Sequence, residues 1–488
     1  MNYILGTILE SKITGVEKAQ INRLKLFKQQ EIPSKCVYIK WNPYLYTYAK
    51  QHRIENDVFT MYDYFQKTIN YKKTKQVNWL QYWEKACNYT LKFVENSNDV
   101  RIYDEDQFIM YAHFLDKQYR DLNYVNYFDH QRRKVKRELF DGRGFLSCSR
   151  ILGEGQRIVL ENYFTTDGTI VIQKYFDDVK GKNTLTKVVV NEGQHQQYFD
   201  SEEELAHYFL NQLCKNNDQL ILDRPHELGN VMTELRKEIP VIVVLHSTHL
   251  TGNEIKSFYK PVFNHLKRYK AIVVSTDKQR RDIAAYIENE IPVVNIPVGH
   301  VENPPNNIDF NNKEKGHIIS VARLVENKQI KHQIEVIKRL VEKYPDIQLN
   351  IYGHGNGLAE YQQLVEKYQL VRHVKFHGFK TQVSEAIAKA KLMLSTSKME
   401  GFGLAILESL SLGTPVISYD VDYGPAELIQ DGFNGYLVSE GDIDKMVEKV
   451  DQLLNDSQKI EQFSMNSIQS AQQFNTTTVG MKWQNILS

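Results

Sequence analysis

The chain has 488 residues, of which 42% are hydrophobic and 25% are charged. This composition excludes disordered, collagen-like and low-complexity proteins, and the length is typical of two or three domains. Lys and Arg number 61 and Asp and Glu number 60, so the formal net charge is +1. A whole-molecule field that attracts nucleic acid or an anionic membrane is therefore excluded, and any such affinity must be local.

The cysteines and the apolar runs indicate the compartment. Four cysteines without a CxxC pair make neither a disulfide framework nor a zinc site. The first residues lack a basic segment ahead of an apolar one, and the most apolar later runs, such as 240–245, are far shorter than the roughly 20 residues of a membrane helix. We therefore expect a cytoplasmic protein with no signal peptide and no transmembrane helix.

The first residues predict the start of an α/β domain. Residues 2–8 are typical of a short strand, Gly15 of a turn, and the apolar spacing from Val16 to Phe27 of a helix. Residues 38–42 predict a second strand, and residues 57–65 begin another αβ stretch. Roughly the first 75 residues therefore indicate a doubly wound α/β arrangement.

Between about residues 100 and 200 the apolar pattern changes from helical to alternating. Turn pairs such as Asp141-Gly142 and Asp167-Gly168 separate the runs, and connections this short exclude parallel crossovers. We expect an antiparallel meander of six or seven strands, inserted in the first domain. Its many aromatic residues exceed what one face of a thin sheet can bury, so helices of the first domain or a partner chain must cover them.

The α/β pattern returns after residue 200 and continues to the end of the chain. A proline-rich polar stretch up to Gly316 is typical of a linker, and the strands HIISVAR, IQLNIYG, HVKFHGF, LMLSTS and PVISYD follow it. We expect two nucleotide-binding α/β domains. The predicted boundaries are 1–99 with 201–300 for the first domain, 100–200 for the β-meander insertion, 301–470 for the second domain, and 471–488 for a helix that crosses back to the first.

Charged residues and glycines follow the strands of the second domain. Ligands of parallel sheets bind beyond the carboxyl ends of the strands, where Arg323, Lys328 and Glu400 fall. Two fixed cations would offset the charge of a diphosphate, and glycines there let backbone N–H groups approach a phosphate. Glu408, two helical turns beyond Glu400, suits recognition of a hydroxyl elsewhere on the same ligand. Each feature alone is typical of a generic α/β surface, but their joint occurrence favours a site.

This pattern resembles the retaining GT-B glycosyltransferases of the family-4 type, whose signature is a Glu-x7-Glu pair with an upstream Arg and Lys. The resemblance implies that Arg323 and Lys328 hold the leaving diphosphate, that Glu400 contacts the donor hexose and that Glu408 binds the ribose. It also implies that His246, at the end of a buried strand, lies beside the donor sugar, with His249 as a weaker candidate. The remaining donor-binding residues that it implies are Gly15, Val16, Gly353, Gly355, His377, Gly378, Phe379, Gly401, Phe402, Gly403 and Leu404.

A narrower resemblance covers nearly the whole chain. GVEKAQINR, LILDR, NIPVG, EGFGLAILE, DVDYGPAE and DGFNGYL are similar to bacterial transferases that add N-acetylglucosamine to serine-rich or Ser-Asp-repeat adhesins. Teichoic-acid α-N-acetylglucosaminyltransferases share this layout and are the alternative. The resemblance implies UDP-GlcNAc as donor, with no cofactor and no metal. The exposed edges and aromatic area of the meander predict, separately, that it forms the contact of a homo-oligomer, the platform for the acceptor, or both. An inactive subunit that binds glycoprotein and stabilises a partner also stays open, although all four Arg/Lys/Glu/Glu residues are present.

Two further features have competing interpretations. Asp420-Val421-Asp422 is a DxD sequence, which in another class of glycosyltransferase holds a divalent metal, but two cations already offset the diphosphate here. We expect a loop near the donor instead. The basic run from Arg132 to Arg137 is typical of a solvated charged face, and a surface for an acidic acceptor is its functional alternative.

Overall fold

The computed structural model describes residues 1–73, 77–252, 254–302, 310–380 and 382–488. These residues form two compact units, one made of residues 1–25 and 33–241 and the other of residues 26–32 and 242–488. The domain boundaries proposed from the sequence stay a prediction.

The first unit opens with an α/β segment. Its elements are β1 (Asn2–Gly6), α1 (Gly15–Gln29), β2 (Ser34–Tyr38), α2 (Leu45–Gln51), β3 (Val58–Thr60), α3 (Met61–Phe65), α4 (Trp79–Gln81) and a π-helical turn (Tyr82–Ala86). The second strand begins four residues before the predicted 38–42, because parallel pairing with β1 aligns Ser34 with Asn2. Thr60 caps α3, since its hydroxyl accepts from the backbone N–H of Asp63 and the Asp63 carboxylate accepts from that of Thr60.

Ten antiparallel strands follow, each paired with the next. They are β4 (Thr90–Phe93), β5 (Asp99–Asp104), β6 (Gln107–Phe114), β7 (Leu122–Phe128), β8 (Lys134–Phe140), β9 (Leu146–Leu152), β10 (Ile158–Phe164), β11 (Ile170–Val179), β12 (Lys182–Glu192) and β13 (His195–Phe199). The predicted count of six or seven was too low. The outermost strands β4 and β13 are mostly exposed. Strand β4 (TLKF) alternates but has only four residues and lies ahead of residue 100, and β13 (HQQYF) lacks the apolar alternation that reveals a strand in a sequence.

The unit closes with α5 (Glu202–Leu213), β14 (Gln219–Leu222) and α6 (Pro225–Glu234). Strand β14 pairs with β1 in parallel, so the α/β strands of this unit lie in the order β3-β2-β1-β14. These strands are almost wholly buried, as expected for a parallel sheet covered on both faces.

Side chains from the α/β part of this unit cover part of the ten-stranded sheet. Trp83 packs on the sheet residues Val100, Ile102 and Phe114 in one buried cluster. Tyr163 is 1% exposed and lies between Trp41, at 5.6 Å between ring centroids, and Tyr62, at 4.7 Å. The aromatic residues of the sheet were expected to be covered by helices of the first domain or by a partner chain. These contacts show that the same chain covers some of them.

A buried charge network joins the sheet to α3. Arg143 lies in the turn between β8 and β9 and donates to Asp141 at 2.7 Å, to the Thr68 carbonyl at 2.8 Å and to Asp63. Burial would raise the pKa of Asp63, but the Arg143 guanidinium and the hydrogen bonds from Thr60 outweigh it and lower that pKa. One guanidinium therefore pairs with two buried carboxylates and fixes the turn on the helix.

We expect Arg143→Met to lower the free energy of unfolding by about 3–5 kcal/mol, because it leaves two buried carboxylates without their cation. Arg133→Met is the matched control. Its pair with Asp129 at 2.8 Å involves an arginine side chain that is 68% exposed, so its loss should cost less than about 1 kcal/mol. Urea unfolding followed by tryptophan fluorescence measures both, and equal effects would show that the network does not hold the sheet.

The second unit begins with parallel strands and short connections. Its elements up to the linker are β15 (Val241–Val244), β16 (Leu250–Thr251), β17 (Glu254–Ile255), α7 (Lys260–Phe263), β18 (Ala271–Val274), α8 (Asp277–Tyr286) and β19 (Val293–Asn295). Strands β15, β18 and β19 pair in parallel, and β16 and β17 form a two-stranded hairpin. The apolar runs predicted as strands at 241–245 and 271–275 are confirmed.

A six-stranded parallel sheet forms the rest of this unit. Its elements are β20 (His317–Val321), α9 (Ile330–Leu340), β21 (Gln348–Tyr352), α10 (Leu358–Lys367), β22 (Val374–Phe376), α11 (Ser384–Lys389), β23 (Leu392–Ser395), α12 (Leu404–Ser411), β24 (Val416–Asp420), α13 (Pro425–Leu428), β25 (Gly435–Ser439), α14 (Ile443–Leu454), α15 (Ser457–Ala471) and α16 (Thr476–Leu487). Five of these strands are those predicted from the sequence. In α16, the Trp483 ring lies 5.4 Å from Phe27.

The strand order is β22-β21-β20-β23-β24-β25. From β20 the chain builds outward to β21 and β22, and then returns to place β23 on the other side of β20. Reversals of this kind open a crevice at the carboxyl ends of the two central strands, which is where ligands of such sheets bind. The fold thus places a candidate site at the loops after β20 and β23. Among the described residues, no helix has the length and apolarity needed to span a bilayer.

Candidate functional site

An ion pair joins the two loops at the reversal point of the six-stranded sheet. The Lys328 ammonium, from the loop after β20, donates to a carboxylate oxygen of Glu400, from the loop after β23. Ser397 supports the pair, since its hydroxyl lies 3.2 Å from both the ammonium and that carboxylate oxygen. The two side chains are 16% and 22% exposed, so the pair is shielded and still reachable from solvent. The sequence predicted both residues for one site, and the fold brings them into contact.

Arg323 is placed differently from Lys328. It follows β20 directly, its side chain is exposed, and it makes no ion pair with any residue in the described ranges. The site therefore offers one cation already balanced by a carboxylate and one whose charge is available to an anionic ligand.

Backbone bonds fix the position of Glu400. Its N–H donates to the Asp422 carbonyl at 3.2 Å, and its carbonyl accepts from Tyr423 at 2.7 Å and from Gly424 at 2.9 Å. Gly424 is required there, because a Cβ would lie 2.1 Å from the Phe402 carbonyl oxygen. The loop after β24 thus holds the loop that carries Glu400.

The glycines after β21 serve close packing of loops. A Cβ on Gly353 would lie 1.8 Å from the Ala322 carbonyl oxygen, and one on Gly355 would lie 2.2 Å from that of Leu324. Leu324 also donates its N–H to the His354 carbonyl at 2.8 Å. The glycines therefore let the loop after β21 press on the loop that carries Arg323. Contact with a phosphate stays a prediction for them.

The residues after β22 form the next part of the same edge. His377 stacks on Tyr352 with ring centroids 4.5 Å apart, its Nε2 is hydrogen-bonded to Asn350 at 2.7 Å, and burial lowers its pKa. Gly378 has a φ of +68°, which favours glycine. Phe379 is 37% exposed and meets His354 edge to face. An exposed aromatic ring at a strand end is suited to stack on a planar base.

Helix α12 begins beside Glu400. Gly403 adopts a φ of +95° at its N-cap, and Phe402 is 3% exposed and anchors the turn in the core. Leu404 packs close to Gly299, where a Cβ would lie 2.6 Å from it. Glu408 is half-buried one turn into the helix and accepts from the Ser384 hydroxyl at 3.4 Å. The two glutamates of the signature therefore differ in setting, since only Glu400 is salt-bridged to Lys328.

His246 and His249 follow β15 within the same unit. A Cβ on Gly401 would lie 2.5 Å from the His246 carbonyl oxygen, so the His246 backbone packs against the Glu400 loop. His249 is 1% exposed, lies between the rings of Phe263 and Tyr423, and its Nδ1 has no hydrogen-bond partner among the described residues. Half-buried His246 is therefore the better placed of the two to meet a ligand.

Gly15 and Val16 open helix α1 in the first unit. Gly15 is exposed, and Thr14 ahead of it donates its N–H to Glu17 at 2.8 Å. Arg224 forms an ion pair with the same Glu17. These contacts of Glu17 stabilise the N-terminus of α1. Contact of Gly15 and Val16 with a donor stays a prediction.

The DxD residues span the end of β24 and the loop that follows it. Asp422 pairs with Lys278 at 3.1 Å, and Asp420 is exposed at the end of the strand. Within the described ranges, no three His, Cys, Asp or Glu side chains converge as metal ligands would. Burial would lower the pKa of Lys278, but hydrogen bonds to Asp422 and Asp282 outweigh it and raise that pKa. The negative charge of Asp422 is therefore balanced by the Lys278 ammonium.

The basic run forms part of a solvated face of the ten-stranded sheet. Arg133 pairs with Asp129 at 2.8 Å, Lys136 pairs with Glu138 at 2.6 Å, and Arg137 donates to Asn126 at 2.7 Å. Two of its five basic side chains thus pair with carboxylates and a third donates to an amide, as is usual for a solvated charged face. A surface for an acidic acceptor stays the alternative prediction.

Three residues of this region were missed from the sequence. Ser397 bridges the Lys328–Glu400 pair. Thr396 accepts from Gln333 at 2.9 Å and donates to the Lys328 carbonyl at 2.8 Å. Lys256 follows the hairpin after His249, and its ammonium donates to the Thr248 hydroxyl. The position of Ser397 and Thr396 directly after β23 could have indicated the first two. Lys256 lies in no recognisable motif.

Comparisons with known proteins agree with this geometry. Residues 306–470 match the family model described as "Glycosyl transferases group 1". Over 491 residues the chain is 23% identical to the poly(ribitol-phosphate) alpha-N-acetylglucosaminyltransferase of Staphylococcus aureus, covering 97% of each protein. It is 25% identical over 372 residues to the poly(glycerol-phosphate) alpha-glucosyltransferase of Bacillus subtilis, and this match spans 74% of the chain and 55% of that relative.

A third relative has a solved structure. The GtfA subunit of the UDP-N-acetylglucosamine–peptide N-acetylglucosaminyltransferase of Streptococcus pneumoniae is 23% identical over 505 residues, covering 96% of the chain and 95% of that protein. The crystal structure of pneumococcal GtfA with UDP and GlcNAc superposes with a TM-score of 0.87 at 20% identity, covering 100% of this chain and 98% of that one. This chain is a glycosyltransferase with the GT-B fold, and the class predicted from the sequence is confirmed.

We expect Lys328→Met to lower kcat by about 100-fold, because a fixed donor to developing oxyanion charge is typically worth that much. Lys331→Met is the control, since its ammonium pairs with Glu360 on the surface and is 52% exposed. Steady-state kinetics measure both, with circular dichroism to check the fold. A near-normal rate for Lys328→Met would contradict the placement of the site.

We expect His249→Phe to reduce the pH dependence of stability. Burial lowers the pKa of His249 from 6.5 to about 4. The unfolded chain therefore binds the extra proton between these values, so the stabilisation is complete above pH 6.5 and is lost as the pH falls to 4. Wild type should lose more of its urea midpoint between pH 7 and pH 5 than His249→Phe, which retains the ring stacking. Equal losses would show that the pKa of His249 is the same in the folded and unfolded protein.

Proposed function

We propose that this protein transfers N-acetylglucosamine from UDP-GlcNAc to serine hydroxyls of a bacterial serine-rich or Ser-Asp-repeat surface protein, with retention of configuration. The observation that supports it best is the meeting of Lys328, Glu400 and the uncompensated Arg323 at the reversal point of a parallel sheet. That arrangement supplies cations for a diphosphate and a carboxylate for a sugar hydroxyl. The pneumococcal relative of nearly equal length is named for the same donor and a peptide acceptor.

Residues after different strands would bind different parts of the donor. Arg323 and Lys328 would hold the diphosphate, and Glu400 would accept from a hexose hydroxyl while it remains bonded to Lys328. Phe379, exposed after β22, would stack on the uracil, and Glu408 would accept from the ribose. Loop packing at Gly353 and Gly355 keeps the Arg323 loop in place.

The reaction breaks the bond between the anomeric carbon and the diphosphate oxygen and forms a bond from that carbon to the serine oxygen on the same face. The serine proton passes to the departing diphosphate oxygen, so UDP leaves and no protein nucleophile is consumed. Arg323 and Lys328 stabilise the charge that develops on the leaving group. Because protein cations fill this role, we propose that transfer needs neither a metal nor another cofactor.

The alternative acceptor is a wall teichoic acid polymer, which the full-length similarity to the poly(ribitol-phosphate) transferase supports. Both acceptors present hydroxyls next to negative charges, so the donor site is compatible with either. We favour the protein acceptor because the pneumococcal fold covers the whole chain with the higher similarity in structure.

For assembly, we propose that the ten-stranded sheet provides the contact. Its outermost strands, β4 and β13, are mostly exposed and carry large apolar side chains, with Phe93 at 54% and Tyr198 at 61% exposure. The pneumococcal relative is named as a subunit. This name favours an assembly in which a partner transferase binds the sheet, either together with a second copy of this chain or instead of it. We expect the reaction in the cytoplasm, where UDP-sugar donors are made.

The proposal is tested by incubating the protein, in EDTA, with UDP-GlcNAc or UDP-glucose and one of three acceptors: a Ser-Asp-repeat peptide, a Ser-Asn-repeat peptide or poly(ribitol phosphate). We expect GlcNAc transfer to peptide serine with an α linkage, and none by Glu400→Gln. Transfer to the polymer alone would select the alternative. No turnover with any donor would favour an inactive subunit, and turnover restored only by manganese would contradict metal independence.

A further inference from the structure

Lys256 is a half-buried cation beside the site. It follows the β16–β17 hairpin, its backbone N–H donates to the His249 carbonyl at 2.9 Å, and its ammonium donates to the Thr248 hydroxyl. The ammonium also lies 5.9 Å from the centre of the Phe258 ring. These contacts hold the side chain in one place.

No carboxylate among the described residues pairs with this ammonium. Burial lowers the pKa of Lys256, and no opposite charge restores it. Three other lysines on or near the Glu400 loop differ, since each has a carboxylate partner. They are Lys328 with Glu400, Lys278 with Asp422 and Lys398 with Glu326. A partly desolvated cation without a counterion is unfavourable unless a ligand supplies the missing charge.

The ammonium lies next to the loop that carries Glu400. The Thr248 hydroxyl that accepts from Lys256 is 3.8 Å from the sulfur of Met399, which is 48% exposed and directly precedes Glu400. The backbone of His246, two residues before Thr248, packs against Gly401. An acceptor that reaches the donor sugar at Glu400 therefore passes close to Lys256.

We infer that Lys256 determines acceptor specificity by binding a carboxylate next to the acceptor serine in a protein substrate. An ammonium has three N–H donors, of which Thr248 takes one, so two can serve a carboxylate. A Ser-Asp repeat places such a carboxylate one residue from every acceptor hydroxyl. This inference rests on the proposed function and names the chemistry that its acceptor must carry.

The test compares wild type with Lys256→Met, which keeps the side-chain length, and Lys256→Arg, which keeps the charge. The control is Lys260→Met, an exposed lysine four residues further on. Acceptors are Ser-Asp-repeat and Ser-Asn-repeat peptides of equal length and poly(ribitol phosphate), each with UDP-GlcNAc. Hydrolysis of UDP-GlcNAc without acceptor reports the donor site separately.

We expect wild type to favour the Ser-Asp peptide and Lys256→Met to lose about tenfold in kcat/KM for it, through KM, as a charge-assisted hydrogen bond is removed. Its rates with the Ser-Asn peptide and in hydrolysis should be unchanged, Lys256→Arg should keep the preference, and Lys260→Met should match wild type.

Two results would overturn the inference while leaving the proposed function intact: equal use of both peptides by wild type, or a Ser-Asp preference that survives in Lys256→Met. Transfer to poly(ribitol phosphate) with none to either peptide would overturn the inference and the proposed protein acceptor together.

Discussion

The ion pair between Lys328 and Glu400 connects the two loops that the strand order brings to one place. Strands β20 and β23 are neighbours in the sheet, but β21 and β22 separate them in the chain, so nothing local in the sequence joins the loops that follow them. The pair does so with the help of Ser397, and Thr396 adds a bond to the Lys328 carbonyl. A shielded pair of this kind pre-sets the geometry in which both groups meet a ligand, at the cost of partly desolvating two charges.

Packing of backbone on backbone holds the remaining loops around this pair. Gly353 and Gly355 press the β21 loop on the Arg323 loop, Gly401 admits the His246 backbone, and Gly424 admits that of Phe402. A Cβ at any of these positions would lie 2.5 Å or less from a backbone oxygen, so a neighbouring loop would have to move. Close packing of the loops around the site is therefore enough to explain the glycines at the strand ends, without contact to a phosphate.

The sequence predicted the six-stranded sheet well because its strands are short, fully buried apolar runs, as in HIISV and LMLS. It predicted which residues follow those strands and hence that Lys328 and Glu400 share an edge. It undercounted the antiparallel strands, because TLKF and HQQYF at the sheet margins bury little, the first having only four residues and the second no apolar alternation. Lys256 could not be found, since its importance depends on Thr248, Met399 and a missing counterion, none of which is a sequence pattern.

The distribution of charge at the site separates its two tasks. On the donor side, Lys328 is balanced by Glu400, and Arg323 remains exposed and available. On the hairpin, Lys256 has a hydroxyl and an aromatic ring as neighbours and no carboxylate among the described residues. A donor diphosphate can satisfy only the cations it touches, so a second uncompensated cation requires a second anion. Because the UDP-sugar carries its negative charge on the diphosphate alone, the inferred role of Lys256 assigns that second anion to the acceptor.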